Sequence, residues 1–216
     1  MNEEIALQVS QVLLDVGAVV FRPENPITFK SGIQSPVYID NRILPFHPDR
    51  WQIIINGFKD IIRENNIKFD VIAGVATSGI THAAALAYSL HVPCVYIRKE
   101  QKGYGTRSRI EKGNVHGRRV LLLEDMVTTG GSSLSGIEEL REEGAIVTDC
   151  VAIATYGFDA TYEAFQSAGV QLHPLTDFAS LWRTAKQYVT LTLPILRAVD
   201  EWLQNPQDWL NDIEQI

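Results

Sequence analysis

At 216 residues, 45% hydrophobic and 21% charged, the chain has the length and composition of one ordinary globular domain with a sizeable core. A net charge of −7 speaks against broad nucleic-acid binding, and no apolar run approaches the length of a membrane span. The acidic amino end, MNEEIALQVS, is unlike a secretory signal, and Cys94 and Cys150 sit in apolar runs that read as small buried hydrophobes, so a reducing, cytoplasmic setting is expected.

In chain order, residues 3–16 place Ile5, Val9, Val12, Leu13 and Val16 on one helical stripe that Gly17 ends. Short strands are expected near 18–21, 27–29 and 36–40, with the turn KSGIQS between the last two. Pro48 opens a helix whose inner face is Trp51, Ile54, Ile55, Phe58, Ile61 and Ile62. The strand FDVIAG (69–74), the turn VATSG and a helix through 83–90 form a first strand-helix unit, and CVYIR (94–98) is the next strand. After a long polar stretch come VLLLE (120–124), a helix, IVTDCVAIAT (146–155), a helix near 160–168, the strand VQLHPL and a helix from Asp177. Strands separated by such helices predict an α/β fold, a doubly wound and mainly parallel sheet flanked by helices, with ligands at the strands' carboxyl ends. Trp202 and Trp209, in short helical turns around Pro206, are read as packing against the domain or a partner subunit.

The most informative stretch is 119–133, RVLLLEDMVTTGGSS. Apolar residues form a buried strand, and Glu124 and Asp125 follow at its carboxyl end. Then comes a turn of Thr128, Thr129, Gly130, Gly131, Ser132 and Ser133 that starts a helix. A strand feeding a Gly/Thr/Ser turn and a helix start cradles a phosphate with backbone N–H groups and hydroxyls. Two acids beside a phosphate make sense when the ligand also presents hydroxyls or brings a divalent cation; a ribose 5-phosphate with free 2′ and 3′ hydroxyls fits. The motif lacks the GK[ST] of a Walker loop and the G-x-G-x-x-G of a dinucleotide fold. The region 98–119 holds eight basic residues against two acids, an island suited to gathering a compact polyanion. Its polar run RKEQKGYGTRSRIEKG is long enough to be a functional lid, with Gly103, Gly105 and Gly113 as hinge points, the alternative being a disordered charged excursion.

This signature resembles the phosphoribosyl diphosphate (PRPP) motif of type I phosphoribosyltransferases. Three further segments, FKSGIQSPVYIDNR, VIAGVATSGITHAAALA and the loop opening RKEQKGYG, resemble the orotate phosphoribosyltransferases in family order over roughly residues 27–145. The resemblance implies one phosphoribosyltransferase domain, with hood elements over about 1–45, a core over about 50–190 and a helical tail over about 194–216. It implies transfer of ribose 5-phosphate from PRPP to orotate, giving orotidine 5′-monophosphate in UMP biosynthesis, with Mg²⁺ carried by PRPP and no direct protein ligand beyond water-mediated contact to Glu124 or Asp125. It further implies a cytoplasmic homodimer with shared active sites and neither nucleic-acid nor membrane partners. Within this fold, transfer to another nucleobase and non-catalytic sensing of PRPP are the alternatives.

Residue by residue, the resemblance assigns Lys30, Lys99 and Lys102 to catalysis at the PRPP phosphates, with Lys99 reaching a neighbouring subunit's site. Thr77, Ser78 and Gly79 present backbone groups to pyrophosphate, and Arg98 and Tyr104 join the lid contacts. Glu124 and Asp125 hold the ribose hydroxyls, and the run through Met126, Val127, Thr128, Thr129, Gly130, Gly131 and Ser132 carries the rest of PRPP. Tyr38, Ile39 and Thr128 border orotate. Two departures stand out. Tyr104 occupies a place where many members have His, and an ordinary Tyr pKa near ~10 suits hydrogen bonding better than proton transfer. The Asp-Arg pair that often follows the next strand, whose Arg binds the orotate carboxylate, is replaced by Thr155 and Tyr156. Arg42 is the candidate substitute, the alternative being an Arg that is solvated or paired with Asp40.

Overall fold

Strands that are apolar on both faces form the centre of the protein. In a computed structural model describing residues 2–29, 31–99, 108–111, 113–207 and 209, they assemble a six-stranded sheet. Its members are β5 (Val71–Val75), β6 (Cys94–Ile97), β7 (Ile110–Glu111), β8 (Arg119–Val127), β9 (Ile146–Thr155) and β10 (Gln171–Asp177), in the order β10-β9-β8-β5-β6-β7. All pairings are parallel except β6 with β7. Alternate residues serve opposite layers. Ile72, Leu121, Leu123, Val151 and Ile153 join one core, while Val71, Ala73, Val120, Leu122, Cys150 and Ala152 join the other. Burial on both faces explains why these strands read as continuous apolar runs.

The first layer is covered by α1 (Glu3–Asp15), α2 (Pro48–Glu64), α3 (Ser78–Leu90), α6 (Phe178–Tyr188) and α7 (Leu193–Gln204), the second by α4 (Gly131–Glu142) and α5 (Asp159–Ser167). Local chemistry starts and stops these helices. Asn2 caps α1 by accepting from the amides of Glu4 and Ile5, and Asp177 caps α6 by accepting from Ser180 N. Pro48 occupies the first turn of α2, where its missing N–H costs nothing. Among the described residues no helix is long and apolar enough to cross a membrane.

Two small antiparallel pairs stand apart from the main sheet: β1 (Val19–Phe21) with β4 (Val37–Ile39), and β2 (Ile27–Thr28) with β3 (Gln34–Ser35). They make a hood, and a 3-10 helix (Asn41–Phe46) leads from it to α2. Trp202 on α7 is fully buried and donates from its indole N–H to Gln34 O at 2.7 Å, tying the tail to the hood; Trp209 is buried as well.

Two expectations need correction. Cys94 is exposed, because β6 buries only Val95 and Ile97 and turns its other face outward; Cys150 alone is the small buried hydrophobe. Part of the polar run after Arg98 is β7, which pairs with β6 through Tyr96–Glu111 and Ile97–Ile110.

Candidate active site

The connections from β5 and β8, neighbours in the sheet, leave in opposite directions. β5 leads through α3 to β6 on one side, and β8 leads through α4 to β9 on the other. Their carboxyl ends therefore form the topological switch point where open parallel sheets leave a crevice. A cavity of about 950 Å³ opens there. It is lined by the turn Val75–Ser78, by the run from Glu124 to Ser133, by Ile27, Thr28, Phe29 and Tyr38 of the hood, and by Lys99 and Arg109.

Two helices begin at this cavity. Gly130, the residue before α4, has φ +82°, and a Cβ there would meet Phe165 Cε2 at 2.8 Å, so both backbone and space demand glycine. Its carbonyl accepts from Leu134 N at 2.8 Å, the first helical bond, while the preceding amides of the first turn have no intrahelical acceptor. Thr161 Oγ1 donates to Thr128 O at 2.8 Å and steadies the turn. At α3 the turn through Ala76 and Thr77, joined by a cis peptide, presents a second helix N-terminus. Each such end attracts an anion through free N–H groups and the helix dipole. One cavity thus offers two separate anion positions.

The acidic pair lies between them. Glu124 is buried, and Ser133 Oγ donates to its Oε1 at 3.1 Å. A Cβ on Gly79 would stand 2.8 Å from Leu123 O and 3.7 Å from Glu124 Oε2, so glycine lets the first turn of α3 settle onto the end of β8. Burial pushes the Glu124 carboxyl well above the usual range and the Asp125 charge adds to this, against the Ser133 hydrogen bond and the Lys99 charge. Asp125 is raised to about 6, again chiefly by burial. The pair therefore resists holding two full negative charges, which explains how it can sit beside an anion site. Among the described residues no group of three or more His, Cys, Asp or Glu side chains is placed to hold a metal ion.

Under the hood the lining becomes apolar and aromatic. Tyr38 lines the cavity, and its hydroxyl accepts from Arg42 Nη2 at 3.3 Å. Arg42 itself lies outside the lining, largely exposed, and grips Asp40 through Nε at 2.6 Å and Nη2 at 2.5 Å. That grip holds the Asp40 carboxyl below its usual range. Ile39 points into the core beneath the hood, 5% exposed. Tyr156, at the place of the expected Arg, is also buried: its hydroxyl donates to Val37 O at 3.1 Å, and its ring packs on Phe29, Phe158, Phe178 and Trp202. It anchors the hood and does not line the cavity.

The structure thus brings Thr77, Ser78, Lys99, Glu124, Asp125, Met126, Val127, Thr128, Thr129, Gly130, Gly131, Ser132 and Tyr38 to one cavity. Gly79, Ile39, Arg42 and Arg98 are not in its lining. Arg98 is committed to Glu111 at 2.8 Å and to Ser108 O at 3.0 Å. Lys30, Lys102 and Tyr104 lie outside the described residues. Sequence reasoning passed over Ser133 as a partner of Glu124 and Phe29 as a cavity wall, and it placed Arg109 in the basic island without a role of its own. The Ser-rich turn that follows the acids was the available signal for the first, and the basic run was the signal for Arg109; nothing local marked Phe29.

Comparison with known proteins agrees with this geometry. The phosphoribosyl transferase domain family matches residues 46–170. The chain is 39% identical to an orotate phosphoribosyltransferase of Halalkalibacterium halodurans, over 98% of this chain and 100% of that protein. It is 38% identical to one of Streptococcus thermophilus, over 95% and 98%. Among solved structures, the orotate phosphoribosyltransferase of Aeropyrum pernix is 30% identical with a TM-score of 0.74, covering 83% of this chain and 98% of that one. The UMP synthase of Leishmania donovani is 25% identical with a TM-score of 0.78, covering 91% of this chain and 42% of that much longer one.

Proposed function

The chain belongs to the orotate phosphoribosyltransferases, within the phosphoribosyl transferase domain family, and from that premise we propose how its cavity carries out the reaction. The enzyme is a pentosyltransferase that moves ribose 5-phosphate from PRPP to orotate, giving orotidine 5′-monophosphate and pyrophosphate. The observation that carries the assignment of roles is the pair of helix N-termini flanking one buried and one half-buried acid at one switch point. PRPP has the same order of groups: phosphate, ribose hydroxyls, diphosphate.

In this reading the 5-phosphate sits on the turn Thr129–Ser132, the ribose hydroxyls donate to Glu124 and Asp125, and the diphosphate meets Thr77, Ser78 and Lys99. Orotate lies under the hood against Tyr38, Met126 and Thr128. The C1–O bond breaks with its electron pair passing to pyrophosphate, and the ribosyl centre becomes oxocarbenium-like. Orotate N1 bonds to C1 from the opposite face and its proton is released. No protein nucleophile is required; positioning and charge carry the rate. Lys99 meets the charge that grows on the leaving group, while the two carboxylates, ionised by the approach of cationic charge, face the developing ribosyl cation. Two carboxylates without a third ligating group suit an ion that arrives with the substrate, and Mg²⁺ bound to PRPP would neutralise the leaving diphosphate.

The carboxylate of orotate meets the hood side. Tyr38 supplies a hydroxyl polarised by Arg42, and Lys30 and Arg42 are the nearest cationic candidates in sequence. We read the chain as one domain with a hood, acting in the cytoplasm as a homodimer. Lys99, expected in a neighbouring subunit's site, lines its own chain's cavity, so a shared site needs Lys102 to come from the partner subunit. Mixing Lys99→Ala with Lys102→Ala chains tests this: mixed dimers should recover activity in one of their two sites, and no recovery in verified mixed dimers removes that part of the reading.

The test of the function is loss of orotate absorbance dependent on PRPP and Mg²⁺, with uracil, hypoxanthine and guanine run separately. Orotate should be consumed and the other bases left. Turnover of another base with orotate inert overturns the assignment.

A further inference from the structure

The chain leaves the sheet after β6 and returns at β7, and two arginines clasp the two ends of that excursion reciprocally. From the outgoing end, Arg98 Nη2 donates to Ser108 O at 3.0 Å, and its Nε lies 2.8 Å from Glu111 Oε1. From the returning end, Arg109 Nε donates to Arg98 O at 2.7 Å, and Arg109 O accepts from Arg98 N at 2.9 Å. The carbonyl of Arg98 belongs to the same peptide unit as the nitrogen of Lys99. Arg109 therefore grips the main chain directly before the lysine that reaches the cavity.

Arg109 also has a second attachment. Its Nη1 donates to Ser135 Oγ at 2.8 Å, its backbone N–H donates to Glu139 Oε1 at 2.8 Å, and Nη1 stands 4.0 Å from Glu139 Oε2. Ser135 and Glu139 are four apart on α4 and so share one face. This is the helix whose first turn forms the phosphate cradle. Both Arg109 and Glu139 are largely shielded from water, with side chains 13% and 10% exposed, so their contacts are little screened. Arg109 and Ser135 line the cavity with Lys99.

We infer that Arg109 is a positioning residue: one planar guanidinium ties the Arg98–Lys99 peptide to α4, holding the Lys99 ammonium in fixed relation to the phosphate cradle. The inference rests on the proposed function, since it takes Lys99 as the group that meets diphosphate. A lysine cannot replace this arginine, because a point charge lacks the fork that serves two acceptors in different directions.

Steady-state kinetics and calorimetric PRPP binding test it in wild type, Arg109→Gln, Lys99→Ala and the double variant. Loss of two partly buried charge-assisted hydrogen bonds should lower kcat/KM for PRPP, and PRPP affinity, by about tenfold in Arg109→Gln. KM for orotate should stay within about twofold, a split that general loosening of the fold would not give. Acting through Lys99, the substitution should add little to Lys99→Ala, so the double variant should fall within about twofold of that single variant. Unchanged handling of PRPP, or losses that multiply in the double variant, overturns the inference. If Arg109→Gln does not fold, Ser135→Ala carries the same test with an expected loss of about threefold. Wild type that binds PRPP but leaves orotate untouched defeats the functional reading instead, and the binding measurements then decide the role of Arg109 alone.

Discussion

The side-chain amide of Asn41 donates to the backbone carbonyl of Asp125 at 2.7 Å, joining the end of the hood to the acidic strand end across 84 positions of sequence. Asn41 is fully buried in the 3-10 helix, and Tyr38 lies three residues before it on the cavity. The element that carries Tyr38 over the cavity is thus bonded to the element that carries the two acids, the proposed acceptor and ribose sites. Replacing Asn41 with Ala leaves a buried carbonyl without that donor, and should cost about 1–3 kcal/mol in urea unfolding. It should also lower kcat/KM for PRPP, because Asp125 loses a restraint on its main chain. Unfolding free energy within about 0.5 kcal/mol of wild type would show the bond to be dispensable.

The acids give the site a pH dependence whose sign follows from their shifts. A hydroxyl donates best to an ionised carboxylate, and Asp125 ionises at about 6 in the free protein. Affinity for PRPP should therefore rise as pH rises through about 6. Free-protein stability should move the other way. The folded chain keeps the Asp125 proton after an unfolded carboxyl near ~4 has lost it, so stability falls between those values as pH increases. Ser133→Ala removes a hydrogen bond that favours ionised Glu124, so it should push the profile of KM for PRPP toward alkaline pH. A profile unchanged by both Ser133→Ala and Asp125→Asn would detach these groups from binding.

Much of this was legible in the sequence, and particular residues show where legibility ended. The expected strand 146–155 coincides with β9, and Pro48 does open α2, because apolar runs and a first-turn proline are local signals. The carboxyl end of β8 and its glycine turn announced a helix start at the cavity for the same reason. The 3-10 helix at Asn41–Phe46 has no amphipathic period and contains Pro45, so its hold on Asp125 could not be read. Ile39 follows Tyr38 and alternation across β4 sends it into the core, whereas the motif alone treated both as bordering the ligand. Arg109 makes its contacts with residues 11 and 26 positions away, beyond any local pattern.

Gly130 offers a test of the cradle that separates two causes. In Gly130→Ala the new Cβ meets the Phe165 ring at 2.8 Å, and the residue must also hold φ +82°. The left-handed conformation alone costs a non-glycine residue about 1–2 kcal/mol. KM for PRPP should rise as the turn shifts, with orotate handling less affected. Adding Phe165→Leu should relieve the clash and recover part of the lost stability, yet leave the conformational cost and most of the KM change. Full recovery in the double variant would mean that space, and not backbone geometry, makes glycine necessary.

Tyr156 stands where a carboxylate-binding Arg was expected, and the structure gives it a different task. Its hydroxyl holds Val37 O of the hood, and its ring is enclosed by Phe29, Phe158, Phe178 and Trp202. Burial pushes its own ionisation well up, so it stays neutral and donates. Tyr156→Phe keeps the ring and loses one hydrogen bond; because Ser35 Oγ also donates to Val37 O at 2.8 Å, the carbonyl keeps a partner and the cost should be about 1 kcal/mol. KM for orotate should rise more than KM for PRPP, since the hood bears Tyr38 while the cradle and α3 are untouched. Tyr156→Arg, which installs the residue type that the family resemblance implied, should fail to create a carboxylate site. The position lies in an aromatic cluster, and a charge buried there unpaired should cost on the order of 3–5 kcal/mol. A stable Tyr156→Arg enzyme with tighter orotate binding would show that this position can reach the acceptor, and would reassign the wall beneath the hood.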